Sequence, residues 1–78
     1  MAPRRHSIEA AFGRALREVR SRQKLSQEQL ALKCGVHPTY VSQLERGLKS
    51  PSLRTIERLA VALGMRPHLL VKAAEDSF

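Results

Sequence analysis

Apolar residues recur along this chain at three- and four-residue intervals, broken by Gly, Pro and Ser, and never alternate as a strand would. Ile8, Phe12, Ala15, Leu16 and Val19 form a first helical stripe that Ser7 can cap. Gly13 interrupts it, either as a small propensity penalty or as the point where its regular part begins. Leu30, Ala31, Cys34, Val36, Val41 and Leu44 are the apolar positions of two shorter helices. Ser26 and Gln29 have capping-box spacing at the start of the first of these. Pro38 suits the first turn of the next, where a backbone N–H would be unpaired anyway. From about Ser52, Leu53, Ile56, Leu59, Ala60 and Leu63 share a fourth stripe, and Pro67 opens a fifth helix carrying Leu69, Leu70 and Val71. Gly35-Val36, Gly47-Leu48 and Gly64-Met65 share one stop signal, a left-handed glycine followed by an apolar residue folding back on the helix. The pattern predicts an all-α, compact five-helix domain over 7–74, with a flexible N-terminal arm at 1–6 and a frayed tail at 75–78.

The second and third of these helices, with the turn at Gly35, have the form of a helix-turn-helix, whose second helix enters the DNA major groove. Ala31 is small where the two helices would cross. At about 100° per residue, Val41 and Leu44 face one way, with Tyr40 and Glu45 on the borders. Pro38, Thr39, Ser42, Gln43 and Arg46 take the opposite arc, which is polar but uncharged before Arg46. An ordinary solvated face would mix Lys with Glu. An uncharged polar face suits base edges, since Gln bonds bidentately to adenine and Ser and Thr donate or accept. Gln43 is the first base-contacting candidate and Thr39 the second.

Other residues are placed to meet phosphates, which position a domain without specifying sequence. Gln27 and the free N–H groups that open helix two are one such group. Arg46 and Lys49 are another, with plain solvated charge as the alternative for Lys49. Tyr40 either bonds a phosphate through its hydroxyl or packs. His37 falls at the N-cap of helix three, where it touches DNA or only satisfies the helix end.

Charge strengthens this reading. The net charge is +7, and seven of the fourteen basic residues (Arg4, Arg5, Arg14, Arg17, Arg20, Arg22 and Lys24) lie in the first 24 positions. Nucleic acid is the polyanion that such a surface attracts, because each neutralised phosphate releases counterions. Cys34 is the single cysteine, so no internal disulfide forms, and it reads as a small core residue in a reducing cytoplasm. His6, His37 and His68 share no spacing, so no metal, cofactor or small-molecule ligand is expected, and no nucleophile-base set suggests an enzyme. Neither a membrane span nor a basic helix rich in exposed aromatics is present, so no membrane role is expected.

Through LSQEQLALKCGV, HPTYVSQLERG and PSLRTIERLAVALG the chain resembles the XRE (Cro and phage-repressor-like) helix-turn-helix family over about residues 12–70. The resemblance implies a lambda repressor-like five-helix DNA-binding domain, commonly a dimer on a palindromic operator. It places phosphate contact on Gln27 and base contact on Pro38, Thr39, Ser42 and Gln43. Pro38 departs from the polar residue often found there and so removes one base-reading side chain. It also implies a structural ion pair between Arg20 and Glu45. The size and the TYVS and LERG segments are similar to restriction–modification controller proteins.

The expected function is therefore a homodimeric, sequence-specific transcription regulator of double-stranded DNA, in the cytoplasm. Leu48, Met65, Leu69, Leu70 and Val71 offer more apolar surface than so small a core needs and are the candidate dimer interface. The alternative is an antitoxin or other protein-interaction module whose DNA binding is autoregulatory. RNA binding is less favoured, since the aromatics number only Phe12, Tyr40 and Phe78. Without room for a sensing domain, control by the protein's own concentration is expected.

Overall fold

The computed structural model describes residues 7–78; the arm expected at 1–6 lies outside the described residues. Among these residues the elements are five helices: α1 (Ile8–Arg22), α2 (Gln27–Cys34), α3 (Pro38–Glu45), α4 (Leu53–Ala62) and α5 (Pro67–Asp76). Serine side chains cap three of them. Ser7 Oγ accepts from the Ala10 N–H at 3.0 Å, and Ser52 Oγ from the Thr55 N–H at 3.1 Å. The capping box closes both ways, with Ser26 Oγ accepting from the Gln29 N–H at 3.0 Å and Gln29 Oε1 from the Ser26 N–H at 2.7 Å. Each such cap satisfies a donor that helix geometry orphans and is worth about 1 kcal/mol.

The helix ends follow one device. Val36, Leu48 and Met65 donate their N–H groups to the carbonyls of Ala31, Gln43 and Ala60 at 2.9–3.1 Å, after glycines at φ between 68° and 74°. α1 ends the same way without a glycine. The Leu25 N–H reaches the Arg20 carbonyl at 3.2 Å because Lys24 takes the left-handed conformation at φ 58°. A side chain there costs about 1 kcal/mol that glycine avoids. Lys24→Gly is therefore expected to raise stability to urea by up to about 1 kcal/mol, and a neutral or negative change would show that Lys24 makes a compensating contact.

The core joins Phe12 and Leu16 of α1, Leu30 and Ala31 of α2, Val41 and Leu44 of α3, Leu59 and Leu63 at α4, and Leu70 and Ala74 of α5. α1 lies across α5 and α3, α2 packs on α3 and α4, and α4 on α5. The result is nearly equiaxial, 28 × 24 × 23 Å.

Three expectations are corrected. Leu53 does not join the α4 stripe: it is 86% exposed, because its first-turn position carries it beyond the core, beside Arg54, Glu57 and Pro67. The helical body does not stop at residue 74: α5 continues to Asp76, and Ala74 near its end is buried in the core. Arg14 Nη2 also donates to the Ser77 carbonyl at 3.3 Å, tying that end to α1. Leu70 is not an interface residue: it is fully buried beneath α1 and α4, so it has no surface to offer a second chain.

Candidate nucleic-acid interface

α3 is anchored by one side and exposed by the other. Val41 and Leu44 are fully buried and Glu45 nearly so. Thr39 and Arg46 are exposed, and Pro38, Ser42 and Gln43 are half-buried. The polar arc read from the helical wheel is thus the outward face, with Thr39, Ser42 and Gln43 on eight residues of regular helix. Arg46 Nε donates to the Ser42 carbonyl at 3.4 Å across the last turn, and Lys49 stands exposed in the following loop. The Tyr40 ring packs against the core from a half-buried position.

His37 caps the start of α3. Its Nδ1 accepts the Thr39 N–H at 3.1 Å, so the ring does the work usually given to Ser or Asp. An accepting Nδ1 has a free lone pair, which in a neutral imidazole places the proton on Nε2. The exposed ring can therefore donate from Nε2 while it caps with Nδ1.

Three elements meet behind this face through one carboxylate. Glu45 Oε2 accepts from Arg20 Nε at 2.6 Å and Oε1 from Arg20 Nη2 at 3.0 Å, a bidentate fork. Arg20 Nη1 donates to the Leu25 carbonyl at 2.7 Å, tying in the α1–α2 turn. Gln27 Nε2, at the start of α2, donates to Glu45 Oε1 at 2.9 Å. The Glu45 side chain is 3% exposed and that of Arg20 13%. Its hydrogen bond to Glu45 pushes the Arg20 guanidinium above its ordinary pKa, against the opposing pull of burial. The pair that the family resemblance implied is present, and the link to Gln27 is a feature that residue spacing did not suggest.

The sequence reading also missed what Gly13 does. A Cβ built on it would stand 2.4 Å from the Leu44 carbonyl oxygen and 2.6 Å from that of Glu45. Gly13 is the point where α1 crosses the end of α3, and its signal was a glycine inside an otherwise well-formed amphipathic stripe.

The candidate dimer residues divide. Leu48 and Leu69 are 41% and 43% exposed, Met65 and Val71 are half-buried, and Leu70 belongs to the core. Val71 lines a shallow apolar groove with Ile8, Phe12 and Ile56. Among the described residues no His, Cys, Asp and Glu side chains cluster to hold a metal. Cys34 is buried, and burial pushes its thiol pKa up against the positive charge of Arg58. No helix of the described residues is long and apolar enough to cross a membrane.

A short helix anchored by apolar residues, presenting an uncharged polar face beside cationic side chains and a preceding helix N-terminus, defines a helix-turn-helix module. The helix-turn-helix family model matches residues 14–70, and the chain belongs to that non-enzymatic family of DNA-binding domains. The control protein C.BamHI of Bacillus amyloliquefaciens is 43% identical over 63 residues, 80% of this chain and 78% of that protein. The crystal structure of the restriction-modification controller protein C.AhdI from Aeromonas hydrophila matches with a TM-score of 0.78 and 44% identity, over 80% of this chain and 94% of that one. The clp gene regulator ClgR from C. glutamicum matches with a TM-score of 0.88 and 32% identity, over 99% and 97%.

Proposed function

We propose that the protein is a transcription regulator that binds a palindromic operator as a homodimer, with α3 of each protomer in the major groove of one half-site. The observation that carries this reading is the outward face of α3, polar and uncharged from Thr39 to Gln43, on a helix held rigidly by buried Val41, Leu44 and Glu45. In this reading Gln43 and Thr39 contact base edges, with Ser42 and the Pro38 ring alongside them. Gln27, His37, Tyr40, Arg46 and Lys49 meet the backbone on either side. Leu48, Met65, Leu69 and Val71 supply the dimer contact, and their exposed or half-buried state supports that role. The likeness to the C.BamHI control protein and to C.AhdI supports a restriction–modification controller role, exercised in the cytoplasm.

Selection from random duplex DNA at near-physiological salt tests the reading. A palindromic motif with half-sites about 34 Å apart is the expected result. Enrichment without a motif would mean that only phosphates are bound and would turn attention to a protein partner. On the selected duplex, Gln43→Ala should relax base preference at one position per half-site and leave non-specific affinity intact. Lys49→Ala should weaken binding to every sequence and reduce the salt slope by about one. Identical behaviour of the two variants would overturn the division into reading and positioning residues.

A further inference from the structure

Glu45 is placed to do more than lock α1 to α3. Its Oε1 holds two donors, one from the Arg20 fork and one from the Gln27 amide at 2.9 Å. A carboxylate only accepts, so the amide nitrogen of Gln27 is the atom that must face it. A primary amide is planar, and with one N–H held its second N–H has a fixed direction. Among the described residues the Gln27 amide makes no other hydrogen bond, so this second donor is left for a ligand. Around it, the Ser26 cap occupies the N–H groups of Gln29 and Leu30, leaving those of Gln27 and Glu28 at the open end of α2.

We propose that Glu45 is a positioning residue for phosphate recognition, holding the Gln27 amide so that its free N–H points at a DNA phosphate oxygen. This rests on the DNA-binding reading above and assigns a part in it to a side chain that never touches DNA. A glutamine on a surface samples many rotamers, and fixing it at the moment of binding weakens affinity; Glu45 fixes it beforehand. The negative charge does not defeat the arrangement. Glu45 is 3% exposed and its charge is matched by the two Arg20 bonds, so a neutral amide is what an approaching phosphate meets. The same carboxylate ties the α1–α2 turn, the start of α2 and the end of α3 into one unit, which sets the distance between Gln27 and the reading face.

Two measurements test this. Nitrogen-15 relaxation of the side-chain amides in the unaltered protein should give Gln27 Nε2 an order parameter near that of rigid backbone, about 0.85, and Gln43 Nε2 one below about 0.6. Binding is then followed with a fluorescein-labelled 24-base-pair mixed-sequence duplex at low salt. Gln27→Met should weaken binding about three- to tenfold with an unchanged salt slope, since a neutral side chain displaces no counterion. Glu45→Gln should give a similar loss, and the double variant no more than either. A Gln27 amide as mobile as that of Gln43, full affinity in Gln27→Met, or losses that multiply in the double variant would each overturn the positioning role. The relaxation result decides it even if Glu45→Gln does not fold. Failure of the unaltered protein to bind any duplex would instead remove the DNA-binding reading itself.

Discussion

Gly13→Ala is expected to lower the thermal midpoint by about 10 °C or more, although alanine is the better helix former by about 1 kcal/mol. The added methyl would meet the carbonyl oxygens of Leu44 and Glu45 at 2.4 and 2.6 Å and the Glu45 carbonyl carbon at 2.8 Å. These are backbone atoms, which cannot turn aside as a side chain end can. α1 and α3 would have to move apart, loosening Phe12 and Leu16 from Val41 and Leu44 in a close-packed core. Overpacking of this kind costs about 3 kcal/mol, so a net loss near 2 kcal/mol survives the propensity gain. In a domain of this size each 1 kcal/mol moves the midpoint by about 4–8 °C. Gly35→Ala is the control: nothing lies within 4 Å of a Cβ there, and only the backbone at φ 70° resists it, a penalty of about 1 kcal/mol. Differential scanning calorimetry of both variants separates the two effects. Equal midpoints would show that α1 and α3 yield at their crossing.

The second large effect is expected at the Arg20–Glu45 pair. Glu45→Ala leaves the Arg20 guanidinium, 13% exposed, with the Leu25 carbonyl as its remaining protein partner. Breaking a buried pair costs about 3–5 kcal/mol, and the partial access of Arg20 to water places this variant near 3 kcal/mol. Arg20→Met strands the deeper group, a carboxylate 3% exposed with Gln27 as its one side-chain donor, and should cost about 4 kcal/mol. The informative variant is the double replacement of Arg20 and Glu45 by methionine. The cost lies in the unpaired charge rather than in the loss of an attraction, so the double variant should recover most of the stability lost by either single one. Urea unfolding measures all three. A double variant less stable than both singles would show the pair to be net stabilising and would reverse this account. By contrast, the exposed pairs Arg22–Glu18 and Lys72–Asp76, each one helical turn apart, should be nearly silent in the same assay.

What was legible in the chain and what was not divides by the range of the interaction. The capping box at Ser26, the proline at the start of α3 and the Gly35, Gly47 and Gly64 stops are decided by residues within one turn of each other, and spacing alone located them. The end of α1 was not marked by spacing because Lys24 occupies a conformation that the sequence advertises only through glycine elsewhere. The outward face of α3 follows from helical rotation and the apolar pair Val41 and Leu44. Leu53 and Leu70 show the limit of such patterns: both are leucines on helical stripes, and one lies 86% exposed while the other is fully buried. A stripe says which face of a helix is apolar and says nothing of how far its neighbours extend to cover it.

The sequence by itself determined five helices, the serine caps and glycine stops, the helix-turn-helix and the outward polar face of α3, because each depends on local hydrogen bonding and on a period of about 3.6 residues. The tertiary structure decided that Gly13 is the crossing of α1 and α3, and that Leu70 is core and not interface. It also decided that one carboxylate, Glu45, gathers Arg20 from 25 residues away and Gln27 from 18. Contacts between groups so far apart in the chain leave no period in it; they exist only once the helices have packed.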